Sequence, residues 1–448
     1  MKKISYFILA LVVACGQTTH VEEEVHGINA NNMDQKADPK NDFYRFANGT
    51  WLDNAEIPAD EGLWGGFTQL REVTNENMLE ILDLAIQSGT YEEGTDQKKA
   101  ADFFSIGMDS ALAETAGIMP VAEFQTKVND IQTVADLQKV LAELHIYSFN
   151  GFFGAFVFGD LMDSDINAFY IGAGGLGLPN RDYYTKTDER SVEIREKYVQ
   201  HIAKMLAFAS GNGADQAESY MGQAQKVMAI ENQLALASLT PIESRDLGRL
   251  YNKKTIAELT ELTPVINWEQ YLSDIWVEGV DSIIVTQPKF MEEVTVVFNE
   301  TPLEDIKAYL KWHIIDASAG YLNNDIVQAN FDFFNKELRG TTEMRPRWER
   351  VLGNTNGAMG EALGKLYVDE AFPPEAKAAA EVMVDNVLAA MKTRIENLDW
   401  MSDTTKQQAL KKLASTTVKI GYPDKWKDYS GLEVETSGET YSYYGNIL

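Results

Sequence analysis

The side chains able to hold a metal or to act as nucleophiles are few and scattered. Five histidines occur in 448 residues, at His20, His26, His145, His201 and His313. A hydrolytic zinc centre built on one helix needs two histidines four residues apart around a glutamate (HExxH). Both imidazoles then face the metal, and the carboxylate can take a proton from the bound water. No pair here has that spacing. Cys15 is the single cysteine, so neither an intrachain disulfide nor a thiolate zinc cluster can form. The residues therefore predict no catalytic set and no metal site in this chain alone.

Other patterns are weighed in the same way. Gly172, Gly174 and Gly177 satisfy GxGxxG, but a dinucleotide loop must open straight into a helix, whereas Leu178-Pro179-Asn180 predicts a turn. His145 and His201 fall on or beside apolar helical stripes, and His313 follows Trp312; all three read as packed histidines rather than ligands. The net charge of -29, with acidic residues scattered along the chain, predicts a soluble surface that repels nucleic acid and anionic lipid. With 45% hydrophobic and 24% charged residues, a sizeable core can be buried.

The elements come next. Lys2 and Lys3 precede an apolar run, Ile4 to Val13, too short to span a bilayer but of the length of a signal-peptide core. It ends in Val12-Val13-Ala14-Cys15, which resembles a bacterial lipobox, so residues 1–14 are expected to be a lipoprotein signal and Cys15 the lipid-attachment residue. That places the protein in a bacterial cell envelope, anchored to a membrane through its N-terminal lipid. Residues 15–37 are polar and predict a flexible tether, with folded sequence from about Asp38.

Beyond it, four-residue spacing of apolar side chains predicts helices over Met78 to Ser88, Ala135 to Tyr147, Ser191 to Ser210, Met221 to Leu239 and Leu303 to Leu322. Val384, Val387, Leu388, Met391, Ile395 and Leu398 form another stripe, with a new helix capped by Ser402 or Asp403. Short aromatic or β-branched runs predict strands at Gly151 to Phe158, Ile166 to Ile171 and Val294 to Phe298. The expected fold class is mainly α: a large multi-helix lobe with a few short strands.

Several ordered motifs run through this region. Asp38-Pro39-Lys40-Asn41-Asp42-Phe43-Tyr44-Arg45-Phe46-Ala47-Asn48-Gly49-Thr50-Trp51 is followed by Ile57-Pro58, Trp64-Gly65 and Phe67. Gly175-Leu176-Gly177-Leu178-Pro179-Asn180-Arg181-Asp182-Tyr183-Tyr184 comes next, then Arg245-Asp246 with Tyr251-Asn252-Lys253. Arg345-Pro346-Arg347-Trp348, Gly364-Lys365-Leu366-Tyr367-Val368, Leu398-Asp399-Trp400-Met401 and Gly421-Tyr422-Pro423 complete the series. Read physically they are scaffold: Asn48-Gly49 is expected to be a turn before the Trp51 anchor, and Leu178 to Asp182 a loop whose proline blocks a helix. In their order and content they resemble the N-terminal region of the neprilysin-like zinc metallopeptidases, over residues 38–423.

The resemblance implies a two-lobed peptidase whose zinc, held by HExxH and a later glutamate, hydrolyses peptides of modest size. This region would line the chamber and dock the lobe that carries the metal. The catalytic helix of such enzymes follows the Gly-Tyr-Pro segment. Residues 424–448 are therefore expected to be a truncated connection toward a zinc-bearing half located elsewhere, whether the cause is a fragment, a frameshift or a natural split. Tyr441 to Leu448 are expected to lack support. No cofactor is expected in this chain, and zinc in the complete enzyme. Lys40 and Val351 stand where animal members carry disulfide cysteines. Asn54 and Leu63 stand where some members place arginines for a substrate's free carboxylate, so endopeptidase action is expected. Asn167-Ala168-Phe169-Tyr170 spells a family substrate-binding motif, but ahead of the loop at Gly175 it reads as a strand with an aromatic face. The alternative reading is a non-enzymatic envelope lipoprotein that binds peptides or a partner chain.

Overall fold

The computed structural model describes residues 28–149, 151–438 and 442–448. The lipobox with Cys15, most of the tether, and His20 and His26 lie outside the described residues. The chain divides at Pro58 into two compact units.

The first unit is built around the helix Phe43–Asn54. Asp42 caps it by accepting from Arg45 N at 2.8 Å, and Asp38 orders the approach by accepting from Lys40 N at 3.0 Å and Asn41 Nδ2 at 2.9 Å. A carboxylate at an N-cap satisfies an amide that has no partner within the helix. The expected turn at Asn48-Gly49 is absent: both residues are inside this helix. Gly49 is there because the chain passes close by, since a Cβ would lie 2.5 Å from Asp34 Cβ. Asp34 N also donates to Phe46 O at 2.9 Å, and Thr50 Oγ1 to Met33 O at 2.8 Å. Order therefore begins ahead of Asp38, with a short 3-10 turn at Ala30–Asn32. Phe43 and Tyr44 are exposed, while Trp51 is half-buried.

The second unit holds a four-stranded sheet among helices. Strands β1 (Phe153–Gly159), β2 (Asn167–Ala173), β3 (Lys253–Thr255) and β4 (Ser282–Val285) lie in the order β1-β2-β4-β3. β1 and β2 form an antiparallel hairpin, and β2 runs parallel to β4 with Tyr170 opposite Ile284. Parallel neighbours require a long crossover, and here it contains the helices Glu189–Ala209 and Met221–Ala237. Asn167 to Tyr170 do form a strand, and Tyr170 stacks on Phe156 at 5.4 Å.

One expected strand is a helix, and two strands, β3 and β4, are additional to those expected. Val294 to Phe298 lies inside the helix Pro288–Glu300, where Phe290, Met291, Val294, Val297 and Phe298 are buried at helical spacing. β-Branched residues there fill a core-facing stripe, and tertiary packing overrides their strand preference. β3 was not expected, because Lys253-Lys254-Thr255 offers no apolar alternation. β4 is a short continuous apolar run, Ile283 to Val285, buried on both faces.

One core gathers the sheet with the helices Val134–Ile146, Glu189–Ala209, Met221–Ala237, Pro288–Glu300 and Leu303–Ser318. A smaller core joins Gly66–Ser88, Asp96–Met108 and Arg347–Ala371. The C-terminal segment seals the second core, contrary to the expected lack of support. Tyr443 is 3% exposed, and its hydroxyl accepts from Asn354 Nδ2 at 2.9 Å. A Cβ on Gly107 would sit 2.8 Å from the Tyr443 ring. The helix Pro374–Glu396 is different: it forms where the apolar stripe predicts it, yet none of its residues is buried. Val387 is 61% exposed and Trp400 75%. Ser402 caps the following helix, Asp403–Ala414, through Thr405 N.

Candidate functional site

The loop Gly174 to Arg181 is held by tyrosines anchored on other helices. Tyr309 Oη donates to Gly175 O at 2.8 Å and accepts from Phe152 N at 3.0 Å. Tyr184 Oη accepts from Leu178 N at 3.0 Å. The two glycines are demanded by this close fit. A Cβ on Gly177 would lie 2.0 Å from Tyr198 Oη, and one on Gly175, at φ +70°, 2.0 Å from Tyr309 Oη.

Beneath the loop lies a fully buried carboxylate, Glu231. It accepts from Tyr184 Oη at 2.6 Å, Tyr198 Oη at 2.8 Å and Trp312 Nε1 at 2.9 Å. His313 Nε2 lies 3.4 Å away. Burying a carboxylate is costly unless several donors replace its water, and here three do. Burial, followed by the charge of Glu231, pushes both tyrosine hydroxyls well above their ordinary pKa. Asp316, one turn on from His313, is pushed up to about 8 by burial and by Glu231.

Arg181 ties the loop's end to the helix Met221–Ala237 through Nη1 to Ser238 O at 2.8 Å. Asn180 Oδ1 accepts from Asp182 N, opening the short helix Asp182–Thr185, and Tyr183 O receives Arg195 Nη1 at 2.8 Å. Tyr251 and Lys253 both reach Asp160 in the β1–β2 hairpin, at 3.2 and 3.3 Å. In the second core Arg347 Nε donates to Gly107 O at 2.8 Å, and Trp348 packs at the core's edge. Lys377 Nζ donates to Tyr422 O at 3.0 Å, fixing the Gly-Tyr-Pro segment.

Some of the motif residues, the loop Gly174 to Arg181 with Arg245 and Arg345, line two neighbouring cavities of the second unit. The loop Gly174 to Arg181, Arg245, Gln287, His313 and Asp316 line one of about 580 Å³. Arg339, Arg345, Arg350, Asn330, Asn335 and Asn354 line another of about 610 Å³. Ala317 belongs to both walls, and Asn330 Nδ2 reaches Asp316 Oδ1 at 3.5 Å. Burial, then Arg347, holds the Arg350 guanidinium below its ordinary pKa. Glu61, nearly buried, takes Arg71 at 2.6 Å and Arg345 at 2.8 Å.

The described histidines do not fit a zinc centre. His145 uses both ring nitrogens, with Tyr271 Oη at 2.6 Å and Gly151 O at 3.0 Å, and burial lowers it to about 4. His201 stacks on Phe333 at 4.9 Å and is lowered to about 3 by burial. Among the described residues no three His, Cys, Asp or Glu side chains are placed to hold a metal ion. The convergent polar groups can orient a ligand. The sequence marked Arg181 and the loop but not Glu231 or Asp316, which are single acids on apolar helices with no local pattern to flag them.

The helical architecture recurs in solved structures. The zinc metalloprotease Zmp1 of Mycobacterium tuberculosis, in complex with an inhibitor, is similar at a TM-score of 0.85 and 29% identity, over 94% of this chain and 63% of that one. A likeness in fold alone is shared with PepO of Lactobacillus rhamnosis, at a TM-score of 0.78 and 20% identity, over 92% of this chain and 64% of that one. This is the scaffold class of two-lobed metallopeptidases. The N-terminal region of peptidase family M13 matches residues 39–423, and the chain belongs to that family of neprilysin-like zinc metallopeptidases. Human endothelin-converting enzyme-like 1 is 28% identical over 438 residues, covering 94% of this chain. The chain spans 55% of that relative's length.

Proposed function

We propose that this chain is the N-terminal region of an envelope zinc metalloendopeptidase that hydrolyses peptides of modest size. The paired cavities form part of the chamber wall, and the apolar stripe on Pro374–Glu396 docks the lobe that brings the metal. The reading is carried by the convergence of the loop at Gly175, Arg245 and Arg345 on adjoining cavities. Residues that the resemblance marks as framework thus line two cavities that share Ala317. Val382, Met383, Val387 and Met391 stand exposed on that helix, which supports the docking role, because clustered apolar exposure is normally covered. Zinc would be supplied by residues other than those described, and the general base with it.

The same exposed stripe favours one second reading, a non-enzymatic envelope lipoprotein whose partner chain covers it. One assay separates the two. The purified chain, given zinc and a quenched fluorogenic peptide, is expected to show no chelator-sensitive cleavage, and to gain it when mixed with an HExxH-bearing catalytic part of an M13 enzyme. Cleavage by the chain alone would contradict the proposed division of labour; no gain on mixing would favour the binding protein. Location is tested by labelling cells with a tagged fatty acid, which should be incorporated at Cys15 and lost in Cys15→Ser.

A further inference from the structure

Fewer than half of the cations of this acidic chain are paired with a carboxylate among the described residues. Among the arginines, Arg45, Arg71, Arg190, Arg249 and Arg345 lie within 4.0 Å of a carboxylate. Arg181 and Arg245, which line the same cavity, have no carboxylate of the described residues that close. Acids adjacent in sequence are committed elsewhere. Asp182 pairs with Lys186 at 3.1 Å. Glu243 pairs with Arg249 at 2.8 Å and accepts from Thr240 Oγ1 at 2.8 Å. Asp246 pairs with Arg249 at 3.3 Å and caps the next turn through Gly248 N. Arg249, not Arg245, collects both acids, so the Arg245 guanidinium is left over at the cavity.

The rest of that wall completes an anion-binding surface. Arg181 spends Nη1 on Ser238 O, which fixes the guanidinium while leaving its other donors. Gln287 Oε1 accepts from Leu239 N at 2.7 Å, so its amide nitrogen faces no acceptor among the described residues. The one acid in this wall, Asp316, holds its proton up to a pH of about 8. The adjoining cavity is not equivalent. There Arg339, Arg345 and Arg350 stand with Asp60, Glu343 and Glu349, and Arg345 is already shared between Glu61 and Glu349. It is balanced in charge and rich in amides.

We infer that the cavity of Arg181 and Arg245 is a subsite for an acidic side chain of the peptide, so that the enzyme prefers substrates carrying Asp or Glu at one position. A planar guanidinium forks onto a carboxylate and gives direction as well as charge. The net charge of -29 would repel an acidic peptide over most of the surface, so a local cationic wall is what makes such a substrate acceptable. The inference rests on the chamber-wall reading of the same cavities.

The test is fluorescence anisotropy with the full chain and three labelled decapeptides that differ only at one central residue, Glu, Gln or Lys, titrated to about 1 mM so that weak binding is seen. The Glu peptide is expected to bind about tenfold tighter than the Gln peptide. Arg245→Gln should abolish that preference without changing the circular dichroism spectrum, and Arg245→Glu should shift it toward the Lys peptide. Equal binding of Glu and Gln peptides, or a preference that survives Arg245→Gln, overturns the subsite and leaves the chamber wall standing. Failure of all three peptides to bind overturns both.

Discussion

The buried Glu231 should be the point at which the motif loop is most easily unlocked. Replacing it with alanine orphans Tyr184 Oη, Tyr198 Oη and Trp312 Nε1, all of them buried. Each unpaired donor costs about 1–3 kcal/mol, and removing an expensive buried charge returns several kcal/mol. The expected net loss is about 2–4 kcal/mol, the cost of three orphaned neutral donors less what removal of the buried charge returns. Glu231→Gln keeps the shape, and its amide oxygen can still accept, but its nitrogen must face a hydroxyl that then has to turn. Its cost should be about 1–2 kcal/mol. Urea unfolding followed by circular dichroism gives the global value. Hydrogen exchange at Leu178, whose amide donates to Tyr184 Oη, reports the loop itself. If Glu231→Ala stays within about 1 kcal/mol of the parent and Leu178 exchange is unchanged, the network does not support the loop and the reasoning fails.

Three further outcomes are expected. Gly177→Ala should destabilise by about 1–3 kcal/mol, the cost of overpacking, because Tyr198 Oη would lie 2.0 Å from the new methyl; a urea midpoint equal to the parent's would refute the fit. Asp316, raised from 3.8 to about 8, holds in the folded state a proton that the unfolded chain has released, so its contribution is complete at low pH and is lost as pH rises toward 8. The buried His145 and His201, lowered to about 4 and 3, act oppositely and cost stability only below about 6.5. Between pH 6.5 and 8 stability should therefore fall by up to about 1.4 kcal/mol per pH unit, and urea midpoints of Asp316→Asn should be flat over that range. Tyr443→Ala should cost about 3–5 kcal/mol as a large core truncation, measured by the same unfolding; a change under about 1 kcal/mol would mean the C-terminal segment does not seal the second core.

Most of the helical frame was legible in the sequence because apolar residues recur at helical spacing, as at Ile194, Tyr198 and Ile202, and buried faces impose that period. Boundaries set by packing were not. Gly49 looked like half of a turn, and only the approach of Asp34 shows why a helix carries it. Val294 to Phe298 had strand composition, but its partners lie on one side only, as a helix requires. Tyr443 and Tyr444 gave no local signal that they would be buried against residues far away in the chain. For the candidate site, the motif loops were legible as a series, while Glu231 and Asp316 were not. An isolated acid on an apolar helix acquires meaning only from the donors that tertiary structure brings to it. The stripe from Val384 to Ile395 is helical as its spacing predicts, and the proposed docking covers its exposed members.

The division between a frame in this chain and a metal brought by other residues is tested most directly by titrating the purified full chain with zinc in a calorimeter, at neutral pH and with a competing chelator present. No stoichiometric high-affinity uptake is expected, since His145 has both ring nitrogens engaged and His201 is packed against Phe333. One tightly bound zinc per chain would contradict it.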